Sequence, residues 1–96
     1  FNFCNFSVAS LKECDLTKAQ FSFSNLNYAN LDSAILNSAL LLKAKAVEAN
    51  LKGASLNQAN LTRAEFIQSN FDNADMSSVE DQDAVFDDST FNGAIR

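Results

Sequence analysis

The stretch Ala49–Ala64 reads "ANLKGASLNQANLTRA". Leu51, Leu56 and Leu61 stand five residues apart. Each is preceded two residues earlier by an alanine: Ala49, Ala54 and Ala59. The same frame runs outward in both directions without a slip. Leu, Phe or Met occupies 17 of the 20 positions from 1 to 96 in steps of five; the exceptions are Ala46, Asp81 and Arg96. Two residues before each centre, Ala, Cys or Ser fills 18 of 19 places, and Val79 is the exception. A repeat of this kind outweighs local propensity as a guide to architecture. Ser38–Ala49, "SALLLKAKAVEA", has good helix propensity. It keeps the frame at Ala39, Leu41, Ala44 and Ala49, however, so it belongs to the repeat and is not a helix set between repeats.

Period five suits neither regular element. On an α-helix five residues advance about 500°, so an apolar stripe would wander around the axis. On a straight strand successive centres would alternate faces. Within one unit the small residue and the centre are two apart, which is strand spacing and puts both on one side. The next three residues must turn the chain so that the following pair also points inward. Four right-angle turns close a square of 20 residues, with successive layers about 4.8 Å apart.

The motifs "ANLDSA", "ANLKGASLNQANLTRA" and "SNFDNADM" resemble the A(D/N)Lxx pattern of the pentapeptide-repeat family, over essentially the whole chain. The resemblance implies an all-β fold, a right-handed quadrilateral β-helix (solenoid) of about 4.8 coils and roughly 23 Å in length. Residues 1–96 are expected to form a single domain. Asp81 falls in a core position within "SSVEDQDAV", which predicts a loosened or irregular segment near residues 79–83. Ala46 thins the core, leaving a cavity unless Phe66 fills it. On the outside, Lys12, Asp32, Lys52, Asp72 and Asn92 form an alternating ladder beside Asn30, Asn50 and Asn70, which are expected to bond along the stack.

Net charge is −5, which disfavours direct nucleic-acid binding. Residues 1–63 carry six bases and four acids (+2), whereas residues 64–96 carry eight acids and one base (−7). No apolar run reaches membrane-spanning length. Phe1 opens the chain without a Met, as expected of a processed or excised piece.

Candidate chemistry is sparse. Without His there is no ordinary Ser-His or Cys-His pair, so the chain is expected to be no enzyme, with no catalytic, cofactor-binding or metal residues. Cys4 and Cys14 occupy small-residue slots on opposite walls and are expected to be buried, inert and unpaired. Asp81, Asp83, Asp87 and Asp88 lack the spacing of a calcium loop. The sequons at Asn5 and Asn60 are by-products of the repeat.

Exposed apolar residues are more informative. Phe3, Phe23, Leu40 and Leu42 point outward on one face, and Val8, Tyr28, Val47 and Ile67 on the next. Phe3, Phe23, Tyr28, Leu40, Leu42, Val47 and Ile67 are therefore a candidate interaction patch, the other reading being packing between successive layers. The function expected is a structural or protein-interaction module on a rigid rod. It would bind a protein partner, or self-associate through coil ends left uncapped. The alternative, implied by the resemblance, is a DNA-mimicking inhibitor or protector of DNA gyrase. Against it, the late acids ring one end, and the rod matches only about seven base pairs. The resemblance also implies a cytoplasmic or thylakoid-lumen setting.

Overall fold

The computed structural model describes residues 1–96. Its building block is a five-residue turn, and the unit starting at Leu51 shows the pattern. The Leu51 carbonyl accepts a hydrogen bond from Ala54 N–H (3.0 Å), and Gly53 between them has φ +67°. An i→i+3 bond with positive φ at the third residue is the type II signature. Every fifth residue from Phe3 to Gly93 has φ between 54° and 72°, yet only Gly53 and Gly93 are glycines. For a residue with a side chain this conformation costs about 1–2 kcal/mol.

Inter-layer hydrogen bonds hold these residues in place. Leu51 N–H donates to the Asn70 carbonyl (2.7 Å), Gly53 N–H to that of Asp72 (2.8 Å) and Ser55 N–H to that of Ala34 (2.9 Å). With the turn bond at Ala54, four of the five N–H groups of the unit are satisfied. The fifth, on Lys52, is taken by the side chain of Asn50 (3.0 Å). Asn5, Asn25, Asn30, Asn60 and Asn70 bond the N–H two residues ahead in the same way, as do Asp15 and Asp75. This is the physical reason for Asn or Asp before the apolar centre: the side chain caps the one donor the stack leaves over. Asn30, Asn50 and Asn70 therefore do not form the amide ladder that their 20-residue spacing suggested. Nor do Lys12, Asp32, Lys52 and Asp72 form ion pairs, since the two salt bridges lie elsewhere.

The expectation of an all-β, right-handed quadrilateral β-helix, or solenoid, is corrected by the strand content. Regular strand is confined to β1 (Lys45–Val47) and β2 (Glu65–Ile67), three residues each. These pair in parallel as an open two-stranded sheet, with Ala46 opposite Phe66. Only 2 of the 62 backbone hydrogen bonds lie within strands. The rest of the chain is turns, linked by isolated parallel bridges such as Asn30↔Asn50 and Asn50↔Asn70. The physical reason is the turn itself: a left-handed residue in every unit stops a ladder before it becomes a strand.

The two strands occur where that turn is opened. Ser69 Oγ accepts from Ala49 N–H (3.2 Å) and donates to the Ala46 carbonyl (2.8 Å), replacing the direct bond across the turn. Ser89 Oγ does the same between Ser69 N–H (3.0 Å) and the Phe66 carbonyl (2.8 Å). Ser24 opens the Phe1–Cys4 turn likewise. A serine in a small-residue slot thus relaxes the turn 20 residues earlier.

The core joins the apolar centres to the alanines beside them, from Phe21 to Met76. Phe66 stacks on Phe86 (5.8 Å, 9°) and Phe71 on Phe91 (5.0 Å, 5°), with edge-to-face contacts between the two pairs. Ala46 is fully buried, and the molecule's one cavity lies at the surface, away from it. Cys4 is exposed and Cys14 half-buried, contrary to the expectation that both are enclosed. At the other end, Arg96 donates to Asp81 (2.5 Å), joining two polar residues at core-centre positions. Residues 76–85 keep the turn-and-bridge pattern, with the Val79 N–H to Met76 carbonyl bond lengthened to 3.4 Å.

Ser69→Ala tests the account of β1. Ala49 N–H should then bond the Ala46 carbonyl directly, and the carbon chemical shifts of residues 46–48 should move to the turn values of the other units. The loss of stability in urea should be about 1 kcal/mol, the worth of one net hydrogen bond. Retention of strand-like shifts would sink the explanation.

Candidate functional site

The second and third residues of each unit stand at a corner, where the turn throws their side chains outward. At the corner holding residues 22–23, 42–43, 62–63 and 82–83 this produces a groove of about 240 Å³. Phe23 and Leu42 form its apolar end, and Lys43, Thr62, Arg63, Gln82 and Asp83 its polar length. Phe3 stacks on Phe23 at 4.9 Å and 7°, extending the apolar floor by one layer. The Lys43 ammonium lies 5.4 Å from the centre of the Phe23 ring, a cation–π contact. Arg63 Nε is 4.0 Å from Asp83 Oδ2, with both side chains more than half exposed, so this pair contributes at most about 1 kcal/mol.

The apolar residues picked out by sequence fall into two groups. Phe3 (76% exposed), Phe23 (47%) and Leu42 gather at the groove, and Leu40 (38%) precedes that corner on the adjoining wall. Tyr28 (56% exposed), Val47 and Ile67 stand at the next corner, with Val47 paired to Ile67 across β1 and β2. Between the corners run Asn25, Lys45 and Glu65, bridged in sequence through the layers, so a polar column divides the patch. The five polar groove residues were not joined into a site by the sequence reading, which sought a binding patch among exposed apolar side chains and weighed Asp83 as a cation ligand. The signal was present in the 20-residue spacing of Phe23, Lys43, Arg63 and Asp83.

Elsewhere the surface offers little chemistry. No group of three His, Cys, Asp or Glu residues is placed to hold a metal ion. No helix is long and apolar enough to cross a membrane. Two carboxylates, exposed Asp15 and half-buried Asp75, are held below their ordinary value of 3.8: Asp15 by the hydroxyl and then the N–H of Thr17, and Asp75 by the same two groups of Ser77. The Ser77 hydroxyl lies 2.6 Å from Asp75 and its N–H 3.0 Å. These are the caps of the repeat with a second hydrogen bond added.

A stack of five-residue turns in 20-residue register, with small residues and apolar centres inside, defines a class of repeat protein. The chain belongs to the pentapeptide-repeat family, matching eight copies of the repeat over residues 1–41 and 47–79. It is thereby a member of a generally non-enzymatic family. The gap between the two matched segments contains Leu42 and Lys43 of the groove and Ala46 of the core.

Three solved structures share the fold. One is a pentapeptide-repeat protein of the Arabidopsis thaliana thylakoid lumen (22% identity, TM-score 0.60, covering 95% of this chain and 60% of that one). Another is HetL of the cyanobacterium Nostoc, involved in heterocyst differentiation regulation (24% identity, TM-score 0.59, 97% and 52%). The third is trypsin-treated QnrB1, a plasmid-mediated fluoroquinolone resistance protein (18% identity, TM-score 0.62, 98% and 61%). The chain therefore spans between 52% and 61% of the length of these proteins. No curated protein matches it significantly.

The lowered carboxylates make a pH prediction. Their contribution to stability is complete above the ordinary value of 3.8 and is lost as pH falls through the lower folded value. Ser77→Ala and Thr17→Val should each raise the titration midpoint of the neighbouring Asp towards 3.8, read by NMR of the carboxyl carbons. Unmoved midpoints would contradict the assigned cause.

Proposed function

We propose that this chain is a protein-interaction module that presents apolar side chains on a rigid turn-built stack, with residues 1–96 acting as one unit. The observation that carries the reading is the stacked, exposed pair Phe3–Phe23 beside Leu42. Large aromatic side chains held in fixed positions lose little entropy on binding, which favours their use as anchors. Rigidity is supported by the backbone, in which inter-layer and turn hydrogen bonds recur in unit after unit. Tyr28, Val47 and Ile67 at the next corner form a second, smaller contact area of the same surface. A cytoplasmic or thylakoid-lumen setting accords with this reading, the lumen being that of the Arabidopsis relative.

Affinity capture from the native organism tests it, comparing wild type with Leu40→Ser/Leu42→Ser/Val47→Ser. Loss of one specific protein from the captured set is the expected result. The variant must still unfold cooperatively, since Leu42 and Val47 are half-buried. An unchanged set of captured proteins would reduce these residues to packing between layers.

A further inference from the structure

We infer that the corner groove binds a carboxylate next to an apolar side chain, as carried by an acidic segment of the protein partner. The inference rests on the interaction reading and gives that partner a chemistry. Its basis is an imbalance of charge in the groove. Lys43 makes no ion pair, and its ammonium lies over the Phe23 ring. Arg63 has only the distant Asp83, and its guanidinium makes no hydrogen bond. Two cations, 20 residues apart in sequence and therefore on adjacent layers, share one weakly held carboxylate. A carboxylate of a partner can bridge them, and the planar guanidinium suits that geometry. Phe23 and Leu42 line the same groove as Lys43. An apolar side chain neighbouring the carboxylate would lie there, on the floor that Phe3 extends. About 240 Å³ accommodates one such side chain with its acidic neighbour, and is small beside the pockets that enclose whole drug-sized ligands. The chain's negative overall charge works against a polyanion such as nucleic acid, whose many charges would meet the acidic final layers. A short acidic segment needs only the two local cations. Asp83 at the groove's far end opposes a second carboxylate there, which sets the direction of the segment: acid at Lys43 and Arg63, apolar group towards Phe23.

The probe is an acetylated, amidated tripeptide of glutamate, phenylalanine and glutamate, titrated into the intact chain and followed by amide NMR. Shifts should concentrate at residues 22–23, 42–43, 62–63 and 82–83, and should weaken with added salt. Lys43→Gln and Arg63→Gln should each weaken binding about threefold, and Asp83→Asn should strengthen it by about the same factor, as expected of exposed charge pairs. Equal binding of the glutamine analogue would overturn the inference. So would displacement of the peptide by inorganic phosphate at equal concentration, which would show a site for any anion. Shifts confined to other residues would also overturn it. The interaction reading is judged separately. If Lys43→Gln/Arg63→Gln retains the captured partner while the Leu40, Leu42 and Val47 variant loses it, the apolar surface stands and the carboxylate site fails.

Discussion

The hydrogen bond from the left-handed residue to the carbonyl 19 positions ahead, made by every such residue from Phe3 to Asn73, is the interaction on which this molecule depends. Tyr28 N–H reaches the Val47 carbonyl at 2.8 Å, Phe23 N–H that of Leu42 at 2.8 Å and Arg63 N–H that of Gln82 at 2.9 Å. This bond offsets the strain of a conformation usually left to glycine, which valine, phenylalanine, glutamate and arginine adopt here; Ser78, Asp83 and Asp88 keep that conformation without such a bond. The strain is local, and its compensation comes from the neighbouring layer. No five-residue unit is therefore stable alone, and the layers stand or fall together. The apolar centres and alanines pack inside because the turns aim them there.

The same arrangement explains the polar letter of the repeat. Once the turn and the neighbouring layers have bonded four N–H groups, one remains at the residue after the centre. An Asn or Asp two positions earlier reaches it. In two units that lack this cap the layer before supplies one: Asn27 bonds Val47 N–H and Asn37 bonds Asn57 N–H, each 20 residues on. Serines in the small slots do a different job. Ser69 and Ser89 insert hydroxyls into turns, and β1 and β2 fall at those two places, each ending just before a left-handed residue, Glu48 or Gln68. The groove lies close by, with Leu42 and Lys43 immediately before the opened turn.

Much of the construction was legible in the residues. Leu, Phe and Met at every fifth place marked the centres, and Ala two residues before marked what fits beside them. Residues 20 apart do lie on adjacent layers, as the stacking of Phe3 on Phe23 shows. Strand content was misjudged because spacing reports which side chains share a side and says nothing about φ. Left-handed residues carry no composition signal here, since glutamate, lysine and phenylalanine occupy the positions where glycine would be looked for. Asp81 looked alone in the core because its partner Arg96 stands 15 residues away in sequence.

By itself, the sequence determined the period, the register and the membership of the core, because burial of apolar side chains every fifth residue leaves one consistent way to stack them. It also set the uneven charge, with the acids gathered in the final third. The tertiary structure alone decided what the outer residues do. Asn50 caps a turn rather than its neighbour in the stack, because the unsatisfied N–H two residues on lies within its reach. Lys43 leans over Phe23 instead of pairing with an acid, because the corner places an aromatic face beneath it and no carboxylate within reach. Surface side chains answer to distances between layers, and those distances exist only once the chain has been stacked.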